Sequence, residues 1–214
     1  MPHFFSGKDS TPSPIPITHL ENDRAQARTQ ARRLRKQAAR RLGLSFGRAS
    51  RLLMHQFQNA IRMRQTMPSV VAGYWPIGYE IDPRPLMGWL ASRGVGLALP
   101  VVIERDEPLM FRAWQKEDPL VPDSLGIMAP VQDAKTVVPH IILTPLLAFD
   151  DEGFRLGYGG GFYDRTLKEL RRTRNIEAVG LAFSAQYRGL PPREPYDEPL
   201  DMVVTERWSL DSRC

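Results

Sequence analysis

The chain has 214 residues, 42% hydrophobic and 25% charged, enough for one substantial core and too ordinary a mixture for a wholly disordered polymer. Its net charge is +5 and its single cysteine is Cys214, which excludes an internal disulfide framework, a cysteine-rich zinc site and a thiol nucleophile set within a fold. No apolar run approaches the ~20 residues of a membrane-spanning helix, and one lone cysteine fits a reducing compartment, so a cytoplasmic protein with no membrane partner is expected.

The opening stretch "MPHFFSGKDSTPSPIPITHL" has prolines at 2, 12, 14 and 16 and no continuous apolar core. It reads as a flexible arm over 1–20, neither signal peptide nor helix, ahead of a single α/β domain over 21–214. From about Asn22 to Leu42 there is no Gly or Pro, and Ala, Arg and Gln dominate, which predicts a helix stopped by Gly43. Ser45 can cap a second helix with an apolar stripe of Phe46, Leu52, Leu53, Phe57, Ile61 and Met63, closed by Pro68. Between Arg24 and Tyr79 stand twelve Lys or Arg and no Asp or Glu. Such a block can bind nucleic acid, hold a polyphosphate ligand, or form a solvated helix face.

After Pro68 the texture changes. "SVVAGYW" reads as a short apolar strand, "PIGYEID" as a turn, "PRPLMGWLASRG" as a helix with prolines at its start, and "VGLALPVV" as a second strand. "PLMFRAW" alternates like a half-exposed strand, and "HIILTPLLAF" reads as a buried one leading into a glycine loop. "FYDRTLKELRRT" is a predicted helix, followed by strands in "EAVGLAF" and "MVVT". The fold class expected is α/β: three layers, α/β/α, with a mostly parallel central sheet, an antiparallel edge and a helical N-terminal segment.

The densest signal is "RLGYGGGFYDR", residues 155–165. Glycines 157, 159, 160 and 161 let backbone N–H groups approach an anion with no side chain in the way, and the helix from Phe162 adds its positive end. The stretch lacks the Gly-Lys-Ser/Thr of a P-loop and the G-x-G-x-x-G spacing of a dinucleotide fingerprint. A tight structural turn is the plainer reading, and a phosphate cradle the functional one. Arg155 can pair with phosphate oxygens. Asp164 can either complement the helix dipole or ligate a magnesium ion that shares those oxygens.

These residues carry a resemblance. "TPLLAFDDEGFRLGYGGGFYDRTL", residues 144–167, resembles the signature of the 5-formyltetrahydrofolate cyclo-ligase family, also called methenyltetrahydrofolate synthetases. "YWPIGYEIDPRPL", "LALPVV", "AVGLAFSAQ" and "PYDEPLDMVVTE" are similar to other parts of that family, so the likeness covers about residues 28–206. The resemblance implies a ligase that uses ATP and Mg2+ to convert 5-formyltetrahydrofolate to 5,10-methenyltetrahydrofolate, with release of ADP and phosphate. It makes Arg155 and Asp164 catalytic. It places ATP on Arg28, Arg32, Arg155, Leu156, Gly157, Tyr158, Gly159, Gly160, Gly161, Phe162 and Tyr163.

For the folate, the resemblance implies Trp75, Glu80 and the loop residues Tyr158 to Phe162; for the metal, Asp164 and Asp197, with Asp201 less favoured. Each has a plainer reading: Glu80 as a solvated turn residue, Trp75 as core, Asp197 as part of a proline-rich surface loop, Arg165 as a helix-surface charge. Family members carry a lysine and, four residues on, an arginine near the N-terminus. Here Arg28 and Arg32 have that spacing, with Arg24, Arg35 and Lys36 offering competing registers, and arginine's planar fork replaces lysine's point charge. His3, His19, His55 and His140 show no metal-ligand spacing. Two other functions stay open: a folate- or nucleotide-binding paralogue with weak catalysis, and, ranked last, a nucleic-acid-binding module built on the basic helix.

Overall fold

The computed structural model describes residues 17–42, 46–62, 67–190 and 193–213. The expectations for residues 1–16, Gly43, Ser45, Met63 and Cys214, and for the side chain of Phe46, lie outside the described residues.

Helix α1 (Ile17–Arg41) begins earlier than Asn22. Among its described side chains the buried ones are Arg24, Ala31, Arg35 and Ala38, whose spacing keeps them on one side of the helix. Helix α2 (Phe46–Ala60) buries Leu53 and Phe57, with Ile61 just past its end. Leu52, one residue and therefore ~100° round from Leu53, is exposed rather than part of that stripe.

Strand β1 (Val70–Ala72), helix α3 (Arg84–Ala91) and strand β2 (Gly96–Val101) form the first strand-helix-strand unit. Gly73, just past β1, is needed for close packing, because a Cβ there would overlap the Met87 sulfur of α3. Strand β3 (Met110–Ala113) follows, then a separate hairpin of β4 (Leu120–Pro122) and β5 (Met128–Pro130). Strand β6 (Ile141–Pro145) returns to the main sheet. The remaining elements are β7 (Ala148–Phe149), β8 (Arg155–Leu156), α4 (Phe162–Thr173), β9 (Glu177–Leu181), a 3-10 turn (Ser184–Gln186), β10 (Met202–Val204) and β11 (Ser209–Asp211).

The main sheet runs β11-β10-β9-β6-β1-β2-β3. The five inner strands are parallel, and both edges, β3 and β11, are antiparallel, one more than expected. Alternation along the strands sorts the core into two layers. Val71, Leu97, Leu99, Ile141, Leu143, Val179 and Leu181 pack toward Leu53, Phe57, Leu86 and Leu90 of α2 and α3. Ala72, Ala98, Ile142, Ala178 and Val203 face the other way, toward Leu167 of α4. This is the expected three-layer α/β/α arrangement with a mostly parallel sheet.

"HIILTPLLAF" is not one strand. The chain leaves the sheet after Pro145, and β7 pairs antiparallel with β8, matching Ala148 to Leu156 and Phe149 to Arg155. The Asp150 carboxylate accepts the N–H groups of Glu152 at 3.1 Å and Phe154 at 2.8 Å, which turns the hairpin. The glycine loop therefore starts from β8. The carboxyl ends of β1, β6 and β9 lead respectively to Trp75 and Glu80, to this hairpin, and to the 3-10 turn, so the parallel strands deliver the candidate residues at one end of the sheet.

Candidate active site

Gly159, with φ of 105°, and Gly161, with φ of 65° as the N-cap of α4, hold conformations that a side-chain-bearing residue would strain to adopt. The loop is fastened by its carbonyls. Arg28 Nε donates to Gly157 C=O at 3.2 Å, and its guanidinium packs against Gly159. Arg165 Nη2 donates to Gly160 C=O at 2.7 Å and to Arg105 C=O at 3.0 Å, so it braces the loop rather than standing free on the helix surface. Space where a Cβ of Gly157 would sit is open. Bracing through carbonyls suits a loop whose N–H groups are to meet an anion.

Behind the loop lies a charged network. Arg155 is 7% exposed; its Nη2 donates to Asp164 Oδ1 at 2.9 Å and its Nη1 to Glu198 C=O at 2.6 Å. The Glu198 N–H returns to Asp164 Oδ1 at 3.1 Å. Burial works against the Arg155 charge, and Asp164 is the foremost group that offsets it. Arg171 of α4 then ties the Glu198 carboxylate, at 2.9 Å, to Asp201, at 2.8 Å, and Asp201 accepts Ala178 N–H at 2.7 Å. Asp201 is thereby a structural anchor of its segment.

Asp197 meets α1. Arg24 grips it with both terminal nitrogens, at 2.9 and 3.1 Å, and the Glu194 N–H donates to the same carboxylate at 2.9 Å. Of the basic residues on α1, Arg24 and Arg28, four residues apart, both reach the site directly; Arg32 is exposed and lies 5.9 Å over the Tyr158 ring. Burial lowers the Arg28 pKa, with the Arg24 charge adding to the effect.

Glu80 is 3% exposed, which excludes a solvated turn residue. Its Oε2 accepts Ile77 N–H at 2.8 Å, and its Oε1 accepts the Tyr158 hydroxyl at 2.5 Å. Arg35 Nη1 stands 3.7 Å from the same Oε1, and its guanidinium lies 5.3 Å over the Tyr158 ring. Burial pushes the Glu80 pKa up, against the lowering by Tyr158, Ile77 and Arg35. Trp75 is half-buried, edge-on to Trp114 at 6.1 Å, with Arg84 4.9 Å over its ring.

The structure thus joins residues far apart in the chain: Glu80 to Tyr158, Arg28 to the glycines, Asp164 to Glu198, and Arg24 to Asp197. The sequence reading did not name Arg171 or Glu198 and left Arg35 as a register alternative. The signal for Arg24, Arg28 and Arg35 was present in their spacing with Ala31 and Ala38 on one helix face. Nothing local in the sequence marks Glu198, whose part is played by its main chain as well as its carboxylate.

Among the described residues, no three His, Cys, Asp or Glu side chains form a metal-holding group. Asp164 and Asp197 are two carboxylates already matched with arginines. An all-protein cage for a resident ion is therefore not built from them, and a magnesium ion held here would need further oxygens from phosphate and water.

A sequence model of the 5-formyltetrahydrofolate cyclo-ligase family matches residues 21–206. A 5-formyltetrahydrofolate cyclo-ligase of Escherichia coli K12 is 37% identical over 157 residues, covering 69% of this chain and 86% of that protein. The protein of the same name from Haemophilus influenzae is 33% identical over 187 residues, covering 85% and 97%. Among solved structures, the 5,10-methenyltetrahydrofolate synthetase of Aquifex aeolicus is similar with a TM-score of 0.68 and 28% identity, covering 91% of this chain and 93% of that one. The synthetase of Mycoplasma pneumoniae shares the fold, with a TM-score of 0.62 and 23% identity over 83% of this chain and 99% of that one.

Proposed function

The chain belongs to the 5-formyltetrahydrofolate cyclo-ligase family, and from that premise we propose that it uses ATP and magnesium to close 5-formyltetrahydrofolate to 5,10-methenyltetrahydrofolate, releasing ADP and phosphate. The observation that carries the reading is the contact of Tyr158 with Glu80, because it brings a glycine loop built for phosphate against a buried carboxylate built for N–H donors. A reaction that moves a phosphoryl group onto a folate needs those two features side by side.

In this reading the formyl oxygen attacks the γ-phosphorus, the bond to the β-phosphate oxygen breaks, and ADP leaves. The neighbouring folate nitrogen then attacks the activated carbon as its proton is lost, and the carbon–oxygen bond breaks with phosphate as leaving group. The protein's task is to position the reactants and balance charge. The backbone from Leu156 to Tyr163 and the positive end of α4 cradle the phosphates, with Arg28 and Arg32 of α1 over them and Arg24 beside Arg28. Glu80 accepts from the N–H edge of the pterin, with Trp75 as a pocket wall. Asp164 and Asp197 would hold magnesium, which when bound would neutralise charge on the phosphates. Arg155 keeps Asp164 aligned from behind.

Mixing the protein with ATP, magnesium and 5-formyltetrahydrofolate should raise the near-ultraviolet absorbance of the methenyl product, with phosphate release that requires both substrates. Binding of both without product would favour the catalytically weak paralogue. Salt-dependent binding of unrelated nucleic acid, with no response to folate, would favour the basic-helix reading.

A further inference from the structure

Tyr158 is the one side chain among the glycines of residues 157–161, and the residue is 42% exposed while its hydroxyl reaches the carboxylate of Glu80, a residue 3% exposed. The hydroxyl supplies Oε1 of Glu80 with the kind of short O–H donor that a buried carboxylate requires, and Ile77 N–H supplies Oε2. Both oxygens are therefore engaged by the protein's own donors. A ligand that presents N–H donors to Glu80 competes with Tyr158 for the same oxygen. Gly157 and Gly159 flank the tyrosine with no side chains of their own, so its side chain can swing away from Glu80 while Arg28 and Arg165 keep hold of the loop carbonyls.

We propose that Tyr158 is a lid on Glu80: its hydroxyl takes the place of a substrate N–H, and the arriving folate displaces it, freeing the glycine loop to close on nucleotide. The inference rests on the cyclo-ligase reading for the identity of the ligand. It adds a coupling between the two substrates that the reaction itself does not require. Arg35 and Arg32, which lie over the Tyr158 ring, hold the lid shut through its π-face. Arg35 also stands 3.7 Å from Oε1, so Glu80 keeps a charge partner once the hydroxyl has gone. Burial and the Glu80 charge both push the Tyr158 pKa up, which keeps the phenol a donor.

The test is Tyr158→Phe, which removes one oxygen and keeps the ring. A lid variant has two opposite signatures: without ligand it melts below the wild type because a charged hydrogen bond is gone, yet it binds 5-formyltetrahydrofolate more tightly, by about fivefold or more, because that bond no longer has to break. Its affinity for a non-hydrolysable ATP analogue in the absence of folate should rise to the value the wild type shows only with folate bound. Calorimetric titration of both ligands and thermal melts of both proteins give all the readouts. Tyr158→Leu carries the same expectation for folate and serves if the Phe variant does not fold. Equal or weaker folate binding by a folded variant overturns the lid and makes Tyr158 a structural or substrate-contacting residue. Absence of folate binding in the wild type as well overturns the cyclo-ligase reading, and the lid with it.

Discussion

Arg155 and Asp164 form a closed ring with the main chain of Glu198: the arginine donates to the aspartate at 2.9 Å and to the Glu198 carbonyl at 2.6 Å, and the Glu198 N–H comes back to the aspartate at 3.1 Å. The carboxylate is thus aligned from two sides by groups on β8 and on the 193–201 segment. Both bonds to the aspartate fall on Oδ1, which is the side turned to the protein's own donors.

Asp164→Asn keeps that Oδ1 and both of its bonds, so the variant should fold with a melting temperature within a few degrees of the parent. If Asp164 ligates magnesium, loss of its charge should cut turnover by at least about tenfold, with partial recovery at high magnesium. A folded Asn variant with near-full activity and unchanged magnesium dependence would return Asp164 to a dipole-complementing role.

The arginines of α1 should rank by how closely they touch the site. Arg28→Ala should raise the Michaelis constant for ATP on the order of tenfold, with little change for folate, and Arg32→Ala should do so by less because Arg32 is exposed. Arg24→Ala should raise it as well and also lower the melting temperature, since it strips Asp197 of a two-pronged partner. Steady-state kinetics in both substrates, alongside thermal melts, separate these outcomes; an Arg32 effect larger than that of Arg28 would show the opposite order.

Glu80 links binding to stability with opposite signs. Glu80→Ala should weaken folate binding by roughly the 1.5–3 kcal/mol of a hydrogen bond to a charged group, and leave ATP binding nearly unchanged. Its pKa is raised in the native state above an ordinary value of 4.5, burial being the main cause. The native state therefore favours the protonated carboxyl: stability from this group is fully present below the unfolded-state value and is lost as pH rises through the raised native value. Glu80→Gln, which stays neutral, should lack that loss, so the difference in melting temperature between variant and parent should shift in the variant's favour as pH rises from 4.5 to neutral. A gap that is constant with pH would remove the ionisation cost assigned to Glu80.

Long-range layout was legible because strand alternation and the strand-helix order are written locally: "FYDRTLKELRRT" gave α4 to the residue, and the apolar runs gave the five parallel strands. The break in "HIILTPLLAF" was not legible, since every residue after His140 is apolar or small enough for a buried strand, and what divides the run is the pairing of Ala148 with Leu156 and of Phe149 with Arg155. Glu80 and Asp164 could be singled out as acids beside distinctive turns. The pairings they make could not, because Tyr158, Arg35 and the Glu198 main chain meet them across 78, 45 and 34 residues. Short edge strands such as β11 escape for a simpler reason: three residues hold too little periodicity to detect.

The grip of Arg24 on Asp197 spans 173 residues, which gives the molecule a characteristic assembly order. A contact between segments so distant along the chain closes a very large loop and contributes nothing until the intervening sheet exists to hold its ends together. From Arg24 to Ala38 the fully buried positions described on α1 are arginine and alanine, which give an isolated helix little apolar surface to nucleate on. Backbone amides around Arg24 should therefore gain protection late in refolding, after those of β6 and β9, and lose it first on heating. The contact of α1 with the 193–201 segment, on which the proposed nucleotide site depends, would then form as the final stage of folding.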